Sequence, residues 1–181
     1  MSAMRKNFIV STLSGLMLLG AGAAQAEQAA AVVAAAEKAP VSVMLQAAKN
    51  EHLNVYKSPT CGCCVEWVEH AEENGFETKT FHPQNLTQMK LDMGIQGRFH
   101  SCHTAVSESG YLFEGHVPAK LVKQFLASPP EGALGLTAPG MPMGSPGMEM
   151  GDRFQAYQVL LMKKNGGYEV YATIDQQAQQ Y

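Results

Sequence analysis

The 181-residue chain carries 13 Lys and Arg against 16 Asp and Glu, a formal charge of −3. That balance argues against nucleic acid or an anionic lipid surface as a partner. The length suits one hydrophobic core and is short for two.

Residues 1–26 read as a secretory signal peptide. Arg5 and Lys6 form its positive start, Phe8 to Leu19 its apolar stretch, and Ala24-Gln25-Ala26 a small-residue cleavage site. The apolar stretch is short for a spanning helix of about 20 residues, so cleavage is expected and no membrane association after it. The mature chain then begins at Glu27 with 155 residues, 11 Lys and Arg against 16 Asp and Glu, and a formal charge of −5. Residues 27–51 form an Ala-rich leader broken by Pro40, expected to be mobile or partly helical.

Residues 52–181 are expected to fold as a single domain. Leu53 and Val55 alternate as a short strand that ends at Ser58-Pro59. Cys61-Gly62-Cys63-Cys64 follows at once. Val65, Val68 and Ala71 then recur at helical spacing with Trp67 alongside, Glu66, Glu69 and Glu72 face outward, and Asn74-Gly75 supplies the stop. Phe76 to Phe81 reads as a second strand closed by His82-Pro83. Asn85 is a candidate N-cap for a helix carrying Leu86, Met89 and Met93 and ending at Gly94.

After Gly97-Arg98-Phe99, the run Ser101-Cys102-His103 leads into a strand over Thr104 to Val106. The turn Glu108-Ser109-Gly110 and the strand Tyr111 to Glu114 complete a hairpin. Pro118 stands at the first turn of a third helix with Leu121, Val122, Phe125 and Leu126 on its apolar face, and Pro129-Pro130 stops it. The order from His52 to Ser128 is β-α-β-α-β-β-α.

That order, with a cysteine pair between the first strand and the first helix, predicts an α/β domain of thioredoxin-like topology. The loop entering the third strand of that topology passes beside the cysteine pair, which brings Cys102 and His103 to it. Thioredoxin-like enzymes usually keep a cis-proline in that loop, and Cys-His-Thr stands here instead. Residues 131–150 are rich in Gly, Pro and Met and read as an irregular loop. A C-terminal β-hairpin spans 154–174, its strands Tyr157 to Met162 and Tyr168 to Ile174 joined through Asn165-Gly166-Gly167.

Four cysteines in an exported chain imply two disulfides by default. Adjacent Cys63 and Cys64, with Cys61 two residues before Cys63, fit that default poorly because such short-range pairs are strained. A structural zinc module also fits poorly, since zinc ligands are normally spaced two or more residues apart. Thiol–disulfide exchange by Cys61 as nucleophile and Cys64 as resolving thiol is a further alternative, which Cys63 would divert. Crowded thiolates select soft ions, and sulfurs pointing in different directions suit bridging, so a copper–thiolate cluster of more than one ion is favoured. Its expected ligands are Cys61, Cys63, Cys64, Cys102 and His103.

Four of the eight mature methionines, Met141, Met143, Met148 and Met150, lie in the loop. Thioethers bind Cu(I), and Met143 or Met148 is expected to approach the site. His52, His70, His82, His100 and His116 read as surface or turn histidines. His116 is the one that could reach the site as a group supporting the ligands.

The segments Lys57 to Cys64, Ser101 to Thr104, Glu114 to Ala119 and Pro139 to Met148 resemble a family of periplasmic metal-binding proteins. Some of its members are called CopG and are associated with copper resistance. The resemblance covers roughly residues 53 to 150. It implies a thioredoxin-like fold, a periplasmic location, and a copper site built from Cys61, Cys63, Cys64, Cys102 and His103 that cycles between Cu(I) and Cu(II). Copper ions and other periplasmic copper-handling proteins are the partners it implies.

Overall fold

The computed structural model describes residues 51–181. The signal peptide expected over 1–26 and nearly all of the leader expected over 27–51 lie outside the described residues. Among the described residues, seven strands form one mixed sheet, and three α-helices accompany it.

Strand β1 (Glu51–Lys57) buries Leu53, Val55 and Lys57 at alternate positions, as the two-residue period of a strand requires. Helix α1 (Gly62–Glu73) then crosses over to β2 (Phe76–Phe81), which pairs parallel to β1. The inward face of α1 is Cys64, Trp67, Val68, His70 and Ala71. Val65, expected on that face, is 41% exposed. The core stripe instead follows the spacing of Cys64, Trp67, Val68 and Ala71, one turn set that includes a cysteine and leaves the valine outside. Gly75, at φ +84°, turns the chain out of the helix in the left-handed region.

Helix α2 (Leu86–Asp92) is capped by the Asn85 side chain, which accepts from the Gln88 N–H at 2.9 Å. Its buried residue is Lys90, while Leu86, Met89 and Met93 are half-buried. A 3₁₀ turn (Gly97–Phe99) leads to β3 (His103–Ser107) and β4 (Leu112–Glu114), an antiparallel pair. Helix α3 (Ala119–Ala127) follows Pro118 and buries Leu121, Val122 and Phe125.

Ala133–Thr137, read from sequence as the start of the irregular loop, is strand β5. It pairs parallel to β4 and antiparallel to β6 (Tyr157–Lys163). Gly135 makes this possible: a Cβ there would collide with the Leu112 backbone, so the two strands approach only because the side chain is missing. The antiparallel hairpin of β6 and β7 (Tyr168–Ile174) completes the sheet, in the order β2-β1-β3-β4-β5-β6-β7. A last 3₁₀ turn covers Gln177–Gln180.

Alternate residues of the central strands feed two cores. Phe113 and Leu161 join Trp67, Val122, Phe125 and Leu136 in the larger cluster, which unites α1 and α3. Their neighbours Leu112 and Met162 pack with Ile95 and Phe99 in the smaller one. Each fully buried Leu or Phe contributes about 1.5–3 kcal/mol relative to its exposed state. The sheet therefore fixes firmly the ends of β1, β3 and β4, where the cysteines and histidines emerge.

Candidate metal centre

Cys61 is the N-cap of α1 and Cys63 and Cys64 lie in its first turn. Cys64 points into the core, whereas Cys61 and Cys63 are half-buried. Cys61 and Cys64 are joined by a disulfide with their Cα atoms 5.4 Å apart. Of the crowded short-range pairs, this is the one that a helical first turn brings together without distortion, and it leaves Cys63 and Cys102 as free thiols. The Cys63 sulfur lies 3.6 Å from that of Cys61 and 3.9 Å from that of Cys102. All four sulfurs fall within 4.8 Å of one another.

Cys102 arrives from the other side, on the loop before β3. Its sulfur is 3.3 Å from Nδ1 of His103 and 3.0 Å from Nε2 of His116. These three residues form a second group within 4.8 Å, so Cys102 belongs to both. His103 is fully buried, its ring 4.5 Å from that of Trp67 and edge-on to His116 at 5.1 Å. His103 Nε2 has no hydrogen-bond partner among the described residues.

The tautomer of His116 follows from its neighbours. Nδ1 lies 2.8 Å from the Pro146 carbonyl, which only accepts, so Nδ1 carries the proton. Nε2 then presents a bare lone pair toward Cys102. An imidazole held by one nitrogen on a backbone carbonyl, with the other free, is the usual disposition of a metal ligand. His116 is therefore a candidate ligand in its own right, and not the turn histidine read from sequence. The signal lay in Leu112-Phe113-Glu114-Gly115-His116-Val117, where a carboxylate and an imidazole interrupt an apolar run.

Burial sets the protonation states. It pushes the Cys102 thiol up to about 12, with the neighbouring Cys63 adding to the effect. It holds His103 well below its ordinary value, helped by His116, Lys90 and Lys57, and lowers His116 as well. At neutral pH the metal-free site thus offers neutral imidazoles and a protonated Cys102, and a soft ion would displace the thiol proton on binding.

A buried ion pair fixes the Cys102 loop. Lys90 Nζ donates to Glu114 Oε1 at 2.5 Å and to the Ser101 carbonyl at 2.7 Å. Glu114 also accepts from the Ser101 N–H at 2.6 Å and the Thr104 hydroxyl at 2.5 Å. Both charges are almost wholly buried. A lysine in the expected apolar face of α2 and a glutamate in β4 thereby clamp the residue beside Cys102.

The Met-rich loop closes over the cluster through its backbone. Ser101 Oγ donates to the Gly140 carbonyl, and the Pro146 carbonyl accepts from His116 Nδ1–H. Gly147, at φ +82°, lies so close to α1 that a Cβ would sit 2.7 Å from the Trp67 nitrogen and 2.8 Å from the Cys63 carbonyl. Met143 and Met148 are half-buried in this loop, whereas Met141 and Met150 are exposed. Fully buried Gln180 braces the loop from beneath, donating to the Gly144 carbonyl at 2.8 Å and accepting from the Tyr157 hydroxyl at 2.5 Å.

Of the remaining histidines, His70 is not on the surface. Its Nε2 accepts the Ala119 N–H at 3.1 Å, serving the start of α3, where Pro118 offers no capping side chain. His52 is exposed between Glu77 and Glu108, and His82 and His100 bond to the carbonyls of Lys57 and Ile95.

These features define a class: an α/β protein whose thiols and imidazoles converge with the spacing of a soft-metal ligand set. A family model described as "Protein of unknown function, DUF411" matches residues 99–148, from the 3₁₀ turn before Cys102 to Met148 of the Met-rich loop. Two solved structures of copper resistance protein CopG, forms 1 and 2, are similar over most of the described fold. The first is 38% identical with a TM-score of 0.64, covering 68% of this chain and 96% of its own. The second is 37% identical with a TM-score of 0.65, covering 69% and 98%. A comparison with curated proteins finds no match. The chain belongs to the CopG family of copper resistance proteins.

Proposed function

We propose that this protein handles copper in the periplasm as part of copper resistance, holding it in a multinuclear site and cycling it between Cu(I) and Cu(II). The observation that carries this reading is Cys102, shared between a group of four sulfurs and a group with two imidazoles. Soft sulfur favours Cu(I), and imidazole suits Cu(II), so adjoining sets of each would keep the metal through a change of state. Cys61, Cys63, Cys64, Cys102 and His103 are its proposed ligands, with His116 beside them. Met143 and Met148 would serve in capture or hand-off, because a neutral thioether binds more weakly than a thiolate. The name of the CopG relatives agrees with copper as the cargo.

A thioredoxin-like core belongs to the same proposal. Support comes from the order β2-β1-β3-β4, with β1 parallel to β2 and antiparallel to β3, and from the cysteines at the head of the crossover helix. Export by a cleaved signal peptide rests on residues 1–26, and no helix among the described residues is long and apolar enough to cross a membrane.

The Cys61–Cys64 disulfide supports a second reading, thiol–disulfide exchange. Cys63→Ser separates the two. Anaerobic Cu(I) titration of the reduced mature protein against a Cu(I)-specific chelator should show stoichiometric binding that this substitution lowers. Disulfide reductase turnover that survives the substitution, with no copper stoichiometry to lose, would favour exchange and overturn the copper reading.

A further inference from the structure

The Cys61–Cys64 disulfide lies in one group with the Cys63 and Cys102 thiols, and Cys102 joins that group to two imidazoles; closure of the disulfide leaves these four donors in place. We propose that Cys61 and Cys64 are the electron source of the site: as a dithiol they reduce two Cu(II) ions to Cu(I) and close into the disulfide. The inference rests on the copper reading and assigns a division of labour within the ligand set.

Three observations carry it. The backbone at the head of α1 accommodates the closed pair while keeping Cys63 within 3.9 Å of Cys102. Cys63, Cys102, His103 and His116 keep their donor atoms when the disulfide is closed, so the metal has a place to stay after the thiolates of the pair are spent. Cys61 is the N-cap of α1, is half-buried and makes no side-chain capping bond, so no hydrogen bond of the helix has to break for the pair to open and close.

The step balances. Each of the two sulfurs gives up one electron, one S–S bond forms, and two Cu(II) become two Cu(I). The thiol protons leave to solvent, or, if copper was already bound there, the bonds of Cys61 and Cys64 to it break. Return to the reduced state takes two electrons and two protons from a dithiol donor, which departs as a disulfide. Cys61 is half-buried and Cys64 fully buried, so the donor thiolate attacks Cys61 and Cys64 leaves.

The test begins with fully reduced mature protein under anaerobic conditions, to which Cu(II) is added. A Cu(I)-specific chelator measures the reduced copper, alkylation with mass spectrometry counts free thiols, and peptide mapping locates any disulfide. The expected result is two Cu(I) per chain, loss of two thiols, and a disulfide at Cys61–Cys64 alone. Cys61→Ser, at a half-exposed position that the core does not need, should lose that Cu(I) yield, and Cys64→Ala should do the same. Cu(I) appearing with all thiols retained, a Cys63–Cys102 disulfide, or full yield from Cys61→Ser would overturn the inference. Direct Cu(I) titration of the same samples keeps the two ideas apart: Cu(I) binding without the disulfide removes only this inference, and no Cu(I) binding removes the copper reading itself.

Discussion

Glu114→Gln changes almost no volume, yet it removes the charge that answers Lys90 in a site closed to water. The amide oxygen can still accept from Ser101 and Lys90, so the chief loss is the pairing of a buried ammonium. Removing one partner of a buried ion pair costs about 3–5 kcal/mol, a large share of the roughly 5–15 kcal/mol that holds a domain folded. At about 4 °C per kcal/mol for a domain of this size, the melting temperature should fall by about 12–20 °C. Lys90→Met should do similar damage by stranding the carboxylate among Ser101 and Thr104. The double variant Lys90→Met/Glu114→Gln removes both charges, and it should be more stable than the sum of the single losses by about 1–3 kcal/mol. Urea unfolding of the metal-free, disulfide-intact protein measures all three. Single losses under about 1 kcal/mol that simply add would refute the view that this pair anchors the Cys102 loop.

Gln180→Leu should destabilise the protein by about 1–3 kcal/mol, because it leaves the Tyr157 hydroxyl and the Gly144 carbonyl without partners; alkylation of Cys63 should quicken as the loop loosens. Burial lowers His70 against the opposing pull of Glu149 and Glu73. The unfolded chain therefore binds this proton more readily, so the stability it contributes is full above the ordinary value of 6.5 and declines as pH falls below it. His70→Gln should flatten that decline in denaturation midpoints measured from pH 7.5 to 5. Replacing Met141, Met143, Met148 and Met150 by leucine keeps the apolar volume and removes the thioethers, so copper loss to a chelator should accelerate while circular dichroism stays unchanged. Parental exchange rates would reduce the loop to packing.

The elements with strong local signals were legible in the sequence. The Asn85 cap, the Pro118 entry into α3 and the hairpin turn at Asn165-Gly166-Gly167 are written in neighbouring residues, and so is the order of the first seven elements. Strand β5 was hidden because Gly135 breaks its apolar alternation, and the reason for that glycine is the Leu112 backbone, 23 positions earlier in the chain. The cysteines were found by spacing alone. His116 was legible only as a turn residue that could support the ligands, since its disposition as a ligand depends on the Pro146 carbonyl 30 residues away. Nothing in the sequence pairs Lys90 with Glu114, 24 residues apart, and only their mutual burial reveals the clamp. Local patterns report periodicity and turns, whereas the protonation and pairing of buried groups are set by contacts distant in sequence.

Copper-edge X-ray absorption on the anaerobically Cu(I)-loaded mature protein bears most directly on the central claim, that the four cysteines meet as one copper site. Sulfur-dominated coordination, with a copper–copper contribution from bridging thiolates, is the predicted spectrum, and it should weaken when Cys63 or Cys102 is replaced by serine. Predominantly nitrogen and oxygen scattering, unchanged by those substitutions, would contradict the account.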